Sequence, residues 1–325
     1  MLDVCCVVGE VKRGPSVVVP TKGAPDDPST AYPRIYAPLE EALITLFCQI
    51  DDAYAALNPQ GKRRYASLKR LSDSEVLTLA LFQQLRGGES ERSFLREAAR
   101  FFSHLFPGVV GLHPSSFHRR RLRKLRRFLE PLRRAVVPEL VGDPETLIVD
   151  STLLEVLHPR QVPQSAGFDG ASWVRWGTFS VYGVKLHMLF CATNRVPISY
   201  ELTAANTAEV RLTKELLEEA KLGEEVARKL SADLAYRSED LAEELAGSGI
   251  ALLTSEASGR RPGVRQQIEI AFSSLKRVFG LGETLATTII GLATRIAAKM
   301  TAYTYALLIN RMMGRPQGRI KELWS

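Results

Sequence analysis

Two aspartates stand directly after apolar segments. Asp150 follows Leu147-Ile148-Val149, and Asp233 follows Leu230-Ser231-Ala232. Each segment reads as a strand that ends at its acid. A carboxylate at the C-terminal end of a strand opens into the crevice where α/β sheets bind ligands. A third acid, Glu269, has 35 residues between it and Asp233. All three are hard oxygen donors of the kind Mg²⁺ takes. Singly, each has other readings. Leu-Ile-Val-Asp is also the form of a magnesium-binding strand beside a phosphate loop, but no GxxxxGK[ST] exists in the chain. No GxGxxG is present to accompany a ribose-binding acid. A local turn cap stays open for both aspartates.

The surroundings of Glu269 are patterned. With Arg265 at zero on a wheel of about 100° per residue, Glu269 falls near ~40° and Lys276 near ~20°. Val264, Ile268, Ala271, Phe272, Leu275, Val278 and Phe279 occupy about 220° to 340° on that wheel. Arg265, Glu269 and Lys276 therefore share one edge beside a buried stripe. Two readings fit: a surface salt-bridge set, or a metal ligand flanked by two phosphate contacts.

The elements that must position these residues follow from periodicity and punctuation. Residues 1–38 hold Pro15, Pro20, Pro25, Pro28, Pro33 and Pro38 among Gly, Ser and Asp, and read as a flexible leader. Residues 39–140 read as an all-α domain. Leu39, Leu43, Leu46, Phe47 and Ile50 recur at helical spacing. Ser72 or Asp73 caps a second helix, and Ser90 precedes a third. Pro114-Ser115-Ser116 opens a fourth. After Gly142-Asp143-Pro144 the pattern becomes three strands, a helix, a strand, a helix, a strand and a helix. This is an α/β domain with a mixed five-stranded sheet, spanning residues 141–282. Residues 283–325 read as a helical tail packed on it. Trp173 and Trp176 fall in the long loop between the first two strands. They serve either as core or as a base-stacking insertion, with core preferred.

Charge separates the two parts. Residues 37–140 carry 18 Lys or Arg against 11 Asp or Glu, which is the whole +7 excess of the chain. Nine of those cations lie between Arg119 and Arg134. A cationic helix after short helices resembles a helix-turn-helix reader. Arg119, Arg120, Arg123 and Lys124 are its candidate DNA contacts, with Ser115, Ser116 and His118 near the tip. A solvated basic helix or an acidic partner is the rival; local density favours nucleic acid. Cys5, Cys6, Cys48 and Cys191 form no CxxC pair, which argues against a disulfide framework or zinc site and fits a reducing cytosol. No signal peptide is expected. The apolar stretch Leu285–Met313 is interrupted by Arg295 and Lys299 and suits a buried helix, not a membrane span.

Four features together resemble the Asp-Asp-Glu (DDE) transposases of bacterial insertion sequences. The first is the acid set with its 35-residue gap. The second is Arg265-x3-Glu269-x6-Lys276, similar to that group's Tyr-x2-Arg-x3-Glu-x6-Lys signature. The third is Tyr182-Gly183-Val184-Lys185-Leu186-His187, similar to the strand after the first Asp. The fourth is Gly291-Leu292-x2-Arg295-Ile296-x2-Lys299 continuing to Leu308-Ile309-Asn310-Arg311, similar to the C-terminal helix of one subgroup. The resemblance covers roughly residues 40–325. It departs from the pattern at three places. Pro262 replaces the signature Tyr. Ala232-Asp233-Leu234-Ala235-Tyr236 stands for Gly-Asp-Lys-Gly-Tyr, and Asn206-Thr207-Ala208-Glu209 for Asn-x-His-Asp.

The resemblance implies a ribonuclease-H-like fold and two Mg²⁺ or Mn²⁺ ions. Asp150 would bridge them, with Asp233 and Glu269 completing the ligand set. It implies cleavage at element ends and transfer of the freed 3′-OH into target DNA. Arg265 and Lys276 would hold phosphates beside the scissile bond. Lys185 is a further phosphate candidate or a snorkelling sheet residue. His187 reads as a satisfied strand histidine. A homodimer on DNA, in the cytoplasm on the nucleoid, is expected. The rival functions are a DNA-binding derivative without catalysis, disfavoured by the intact acids, and a nuclease that cuts without joining.

Overall fold

The structure is a computed structural model. It describes residues 39–59, 69–87, 90–164, 168–220, 228–254, 262–283 and 286–323. The expected leader lies outside these residues.

The first part is helical, as the periodicity requires. Helix α1 (Leu39–Leu57) buries Ala42, Leu43, Leu46 and Ile50 on one face. Helix α2 (Asp73–Leu85) starts with a capping box. The Ser72 hydroxyl accepts from the Glu75 amide, and the Glu75 carboxylate accepts from the Ser72 amide. Helix α3 (Glu91–Phe101) is capped by Ser90, and α4 (Pro114–Arg119) has Pro114 in its first turn. A π turn over Arg120–Leu125 joins α4 to α5 (Arg126–Val141). The wide turn sends neighbouring arginines inward. Arg121 is buried against Glu91, and Arg120 reaches Asp73 and the Leu71 carbonyl, 2.9 Å away.

The second part is one mixed sheet. Its strands are β1 (Thr146–Leu157), β2 (Ser172–Trp176), β3 (Phe179–Cys191), β4 (Pro197–Ala204), β5 (Lys229–Ala232) and β6 (Ala251–Thr254). β3 runs antiparallel to β1 along most of its length. β2 and β4 pair with successive halves of the other edge of β3. On the far side of β1, β5 and then β6 add in parallel. The described sheet thus has six strands, not five. The extra one, β2, occupies what the sequence presents as a loop, because Gly170 and Gly177 frame only five residues of strand. At Gly183, β1 and β3 approach closely enough that a Cβ would lie 2.3 Å from the Leu154 carbonyl oxygen. That contact accounts for glycine in the Tyr182–His187 segment.

Helices cover both sheet faces. On one, α8 (Pro262–Arg277) sets Phe272 against Phe190 at 5.6 Å between ring centroids, and α5 sets Arg133 over Tyr200. On the other, Ser199 donates to the carbonyl of Leu216 in α6 (Thr213–Ala220) at 2.6 Å, and Lys214–Glu244 joins α6 to α7 (Glu239–Gly247).

The C-terminal helix α9 (Ile289–Met312) is buried on nearly every side. Its main neighbours are α5 and α2 of the helical part, with smaller contacts to α8 and β4. Thr301 and Tyr305 donate to the Leu129 and Leu132 carbonyls of α5, and Tyr303 donates to the Arg195 carbonyl beside β4. The tail therefore bolts the helical part to the sheet, instead of resting on the sheet alone. No described helix is long and apolar enough to cross a membrane. The apolar length of α9 is used inside the protein.

Candidate active site

Asp150 does not end β1. It lies inside a strand that continues to Leu157. The apolar run stops there because Asp150 and Ser151 are only partly covered; the strand itself goes on. The ladder with β3 is regular from Leu147 to Glu155, so paired residues share a face and faces alternate. Ile148, Asp150, Met188 and Phe190 therefore lie on the face that α8 covers.

Asp233 does follow the last residue of β5 and caps a 3₁₀ turn over Leu234–Tyr236, accepting from the Ala235 amide at 2.9 Å. The parallel ladder pairs Thr146 with Lys229 and Ile148 with Ser231. The ladder stops there; continued for two more residues, the same register would bring Asp150 and Asp233 to the same level on one face. Both aspartates therefore lie just beyond the C-terminal end of the β1–β5 ladder. The Asp150 carboxylate also accepts from the Ser151 amide at 2.7 Å.

Glu269 and Lys276 are exposed on α8, whose Ile268, Ala271 and Leu275 are buried. Glu269 is one turn before Phe272, the residue that meets Phe190. The third acid is thus carried by the helix that packs on the aspartate face. Arg265 lies on the first turns of the same helix; its side chain is outside the description. Among the described residues, no three His, Cys, Asp or Glu are gathered closely enough to hold a metal ion. The donor set suits a hard divalent cation, but a shared site needs Glu269 to close on the two aspartates.

Lys185 is on the opposite face. Its ammonium donates to the Thr207 carbonyl at 3.0 Å and meets Glu209 at 3.2 Å. Lys185 and Glu209 are only 14% and 17% exposed. Glu209 also accepts from the Ser151 hydroxyl at 2.8 Å. Neither Ser151 nor Glu209 is obvious from sequence. The only signal was that Glu209 occupies the acid position of an Asn-x-His-Asp segment.

His187 is wholly buried, with Nε2 2.9 Å from the Thr203 hydroxyl and no partner for Nδ1. Burial first, and Lys185 second, hold its pKa down at about 4. A histidine kept neutral in the fold costs nothing above its unfolded pKa of about 6.5. Below that value the unfolded chain takes up a proton that the native state refuses. Stability should therefore fall as pH drops from about 6.5 toward 4, by about 2 kcal/mol at pH 5 from this group. Melting curves of wild type and His187→Gln between pH 7 and 5 check this, with the variant expected to show the shallower fall. Parallel curves would refute it.

The aromatic loop residue Trp173 is on β2, 46% exposed, its ring 5.4 Å from that of Tyr182. It is not core. On the basic helix, Arg119, Arg123 and Lys124 are exposed, whereas Arg120 is turned toward Asp73. His118 faces Glu91 at 3.0 Å.

The family model described as the transposase DDE domain matches residues 141–305, which contain the whole sheet and most of α9. The match spans just over half the chain, and the protein belongs to the transposase DDE domain family. A piggyBac transposase solved by cryo-EM as a synaptic complex with hairpin DNA is similar at 10% identity and a TM-score of 0.40. That similarity covers 90% of this chain and 79% of that one. At that score the likeness carries no argument about this chain. Among curated proteins there is no match.

Proposed function

We propose that this chain is a catalytically competent DDE transposase with a ribonuclease-H-like catalytic domain and a helical DNA-binding part over residues 39–140. One observation carries the reading. The β1–β5 ladder ends two residues before Asp150 and Asp233, and α8, the helix bearing Glu269, covers the sheet face that carries Asp150, which supports a common site for the three acids.

In this reading Asp150, Asp233 and Glu269 would hold divalent metal, Mg²⁺ or Mn²⁺. Two bound ions would polarise the phosphodiester and lower the pKa of an attacking water or 3′-hydroxyl. The chain supplies the alignment. Lys276 and Arg265 share the α8 edge of Glu269 and hold the phosphates of the scissile strand. Lys185, engaged with Glu209 on the reverse face, holds the segment after β4. Arg119, Arg123 and Lys124 contact the DNA backbone at a distance from the chemistry, and two copies act on two element ends.

A strand-transfer assay with and without Mg²⁺ tests the function. Joined product that requires Mg²⁺ supports it. Cleavage without joining would make the protein a nuclease, and DNA binding without either would make it a non-catalytic derivative. The DNA-binding part has its own test. Log affinity should fall linearly with log salt, by roughly 0.9 per phosphate neutralised. Arg119→Ala/Arg123→Ala/Lys124→Ala should shrink that slope by about 2–3 and keep the melting temperature. An unchanged slope would move the contact elsewhere.

A further inference from the structure

Helix α3 carries charges of both signs, and the structure sorts them by side. Its acids are Glu91 and Glu97, and both are engaged by neighbouring elements. Glu91 meets His118 of α4 at 3.0 Å and the buried Arg121 of the π turn. Glu97 accepts from Arg86, at the end of α2, at 2.6 Å. The arginines of α3 are left outside this arrangement. Arg92, Arg96 and Arg100 are exposed, and none pairs with an acid among the described residues. Arg100 lies over the exposed Phe101 ring, 5.1 Å from its centroid.

The three arginines recur at every fourth residue, so they fall within about 80° of one another around the helix. The buried residues Phe94, Leu95 and Ala98 lie on the opposite side. From Arg92 to Arg100 the helix rises about 12 Å, which is roughly the width of the DNA major groove. The mounting of α3 agrees. It follows the buried helix α2 after residues 86–90, where Gly87 turns the chain at φ 82°. Phe82 of α2 packs against both ends of α3, its ring 5.9 Å from that of Phe94 and 5.4 Å from that of Phe102. Helix, glycine turn and second helix is the order of a helix-turn-helix, whose second helix enters the major groove.

We propose that α3 is the helix of the N-terminal part that enters the major groove of duplex DNA, with Arg92, Arg96 and Arg100 as its contacts. A cationic row whose neighbouring acids are all engaged elsewhere matches a polyanion. On DNA of any sequence the three guanidinium groups engage phosphates along the groove walls, the sequence-independent part of affinity. The same forks fit guanine O6 and N7 on the groove floor. Arg119, Arg123 and Lys124 then serve the backbone beside the groove, on the segment that His118 and Arg121 tie to α3. The inference rests on the reading of residues 39–140 as DNA-binding.

The test is binding of the full chain to a mixed-sequence DNA duplex across a salt series, with sedimentation of the free protein in parallel. Wild type is compared with Arg92→Ala/Arg96→Ala/Arg100→Ala and with the matching triple Lys variant. Arg211→Ala/Arg228→Ala/Lys321→Ala removes three exposed cations elsewhere and serves as control. The α3 alanine variant should lose about 2–3 from the log–log salt slope, at ~0.9 per phosphate. Its melting temperature should hold, because the buried side of α3 is untouched and Ala favours helix. The Lys variant and the control should keep the wild-type slope. Bound wild type should shield guanine N7, which faces the major groove, from dimethyl sulfate, and the alanine variant should not. An unchanged slope in the α3 alanine variant overturns the inference. So does an equal loss in the control, which marks net charge alone, and so does unshielded N7 in the wild-type complex. A slope left unchanged while the free alanine variant sediments as a smaller species assigns the row to an acidic face of a second copy, and also overturns it. If wild type shows no salt-dependent affinity for the duplex, the DNA-binding reading falls and this inference with it. If Arg119→Ala/Arg123→Ala/Lys124→Ala shrinks the slope and the α3 variant does not, only the inference falls.

Discussion

Asp150→Asn should abolish strand cleavage and leave DNA binding at the wild-type level. The substitution is nearly isosteric. The remaining amide oxygen can still accept from the Ser151 amide, now bonded at 2.7 Å, so β1 and its ladder are undisturbed. Only the charge is removed, and with it the proposed donor to metal. Metal assistance contributes several kcal/mol to such displacements, and about 1.4 kcal/mol is tenfold in rate. The expected loss is therefore on the order of a thousandfold or more in single-turnover cleavage. Binding to an element-end duplex, measured in parallel, should not move, because the basic helix and β1 are separate elements. Cleavage within tenfold of wild type would remove Asp150 from the chemistry. Loss of DNA binding as well would mean that the acid supports the fold.

The second large effect concerns Lys276. It is exposed on α8, on the edge it shares with Glu269, while Ile268, Ala271 and Leu275 make the buried contacts. Truncation to Ala leaves those contacts untouched, and Ala is a better helix former than Lys. The melting temperature should stay within about 1 °C, a surface change usually being within about 0.5 kcal/mol. As the proposed phosphate contact, Lys276 would keep the scissile strand aligned with the acids, and alignment of reacting groups is worth several kcal/mol. Lys276→Ala should slow cleavage by roughly a hundredfold. If Lys276 were only half of an exposed ion pair it would be worth about 0–1 kcal/mol, and cleavage would barely change. Melting temperature and single-turnover rate of the same variant decide between the two. A normal rate would reduce Arg265, Glu269 and Lys276 to a surface pattern.

Local chemistry made much of the architecture readable. The Ser72 and Ser90 caps, the apolar period of α1, and the buried stripe of α8 depend on residues three to four apart. Such contacts are written in the order of the chain. The interrupted apolar stretch at 285–313 was legible as a buried helix for the same reason. Its neighbours were not, because packing of α9 on α5 and α2 joins segments more than 150 residues apart. Strand β2 was hidden because its five residues carry no two-face alternation of core and solvent. They are held by pairing with β3 and by the Ser172–Asn206 hydrogen bonds.

The acids show the same division. Sequence by itself determined that Asp150 and Asp233 would stand at the ends of apolar runs and that Glu269 would ride the polar edge of a helix. Only tertiary structure decided that Asp150 continues within a strand, that a parallel ladder joins β1 to the strand before Asp233, and that Ser151 and Glu209 meet on the reverse face. Register is a relation between strands separated by about 80 residues. It is set by which faces both strands bury and by the closing of a long crossover, and no local pattern encodes either.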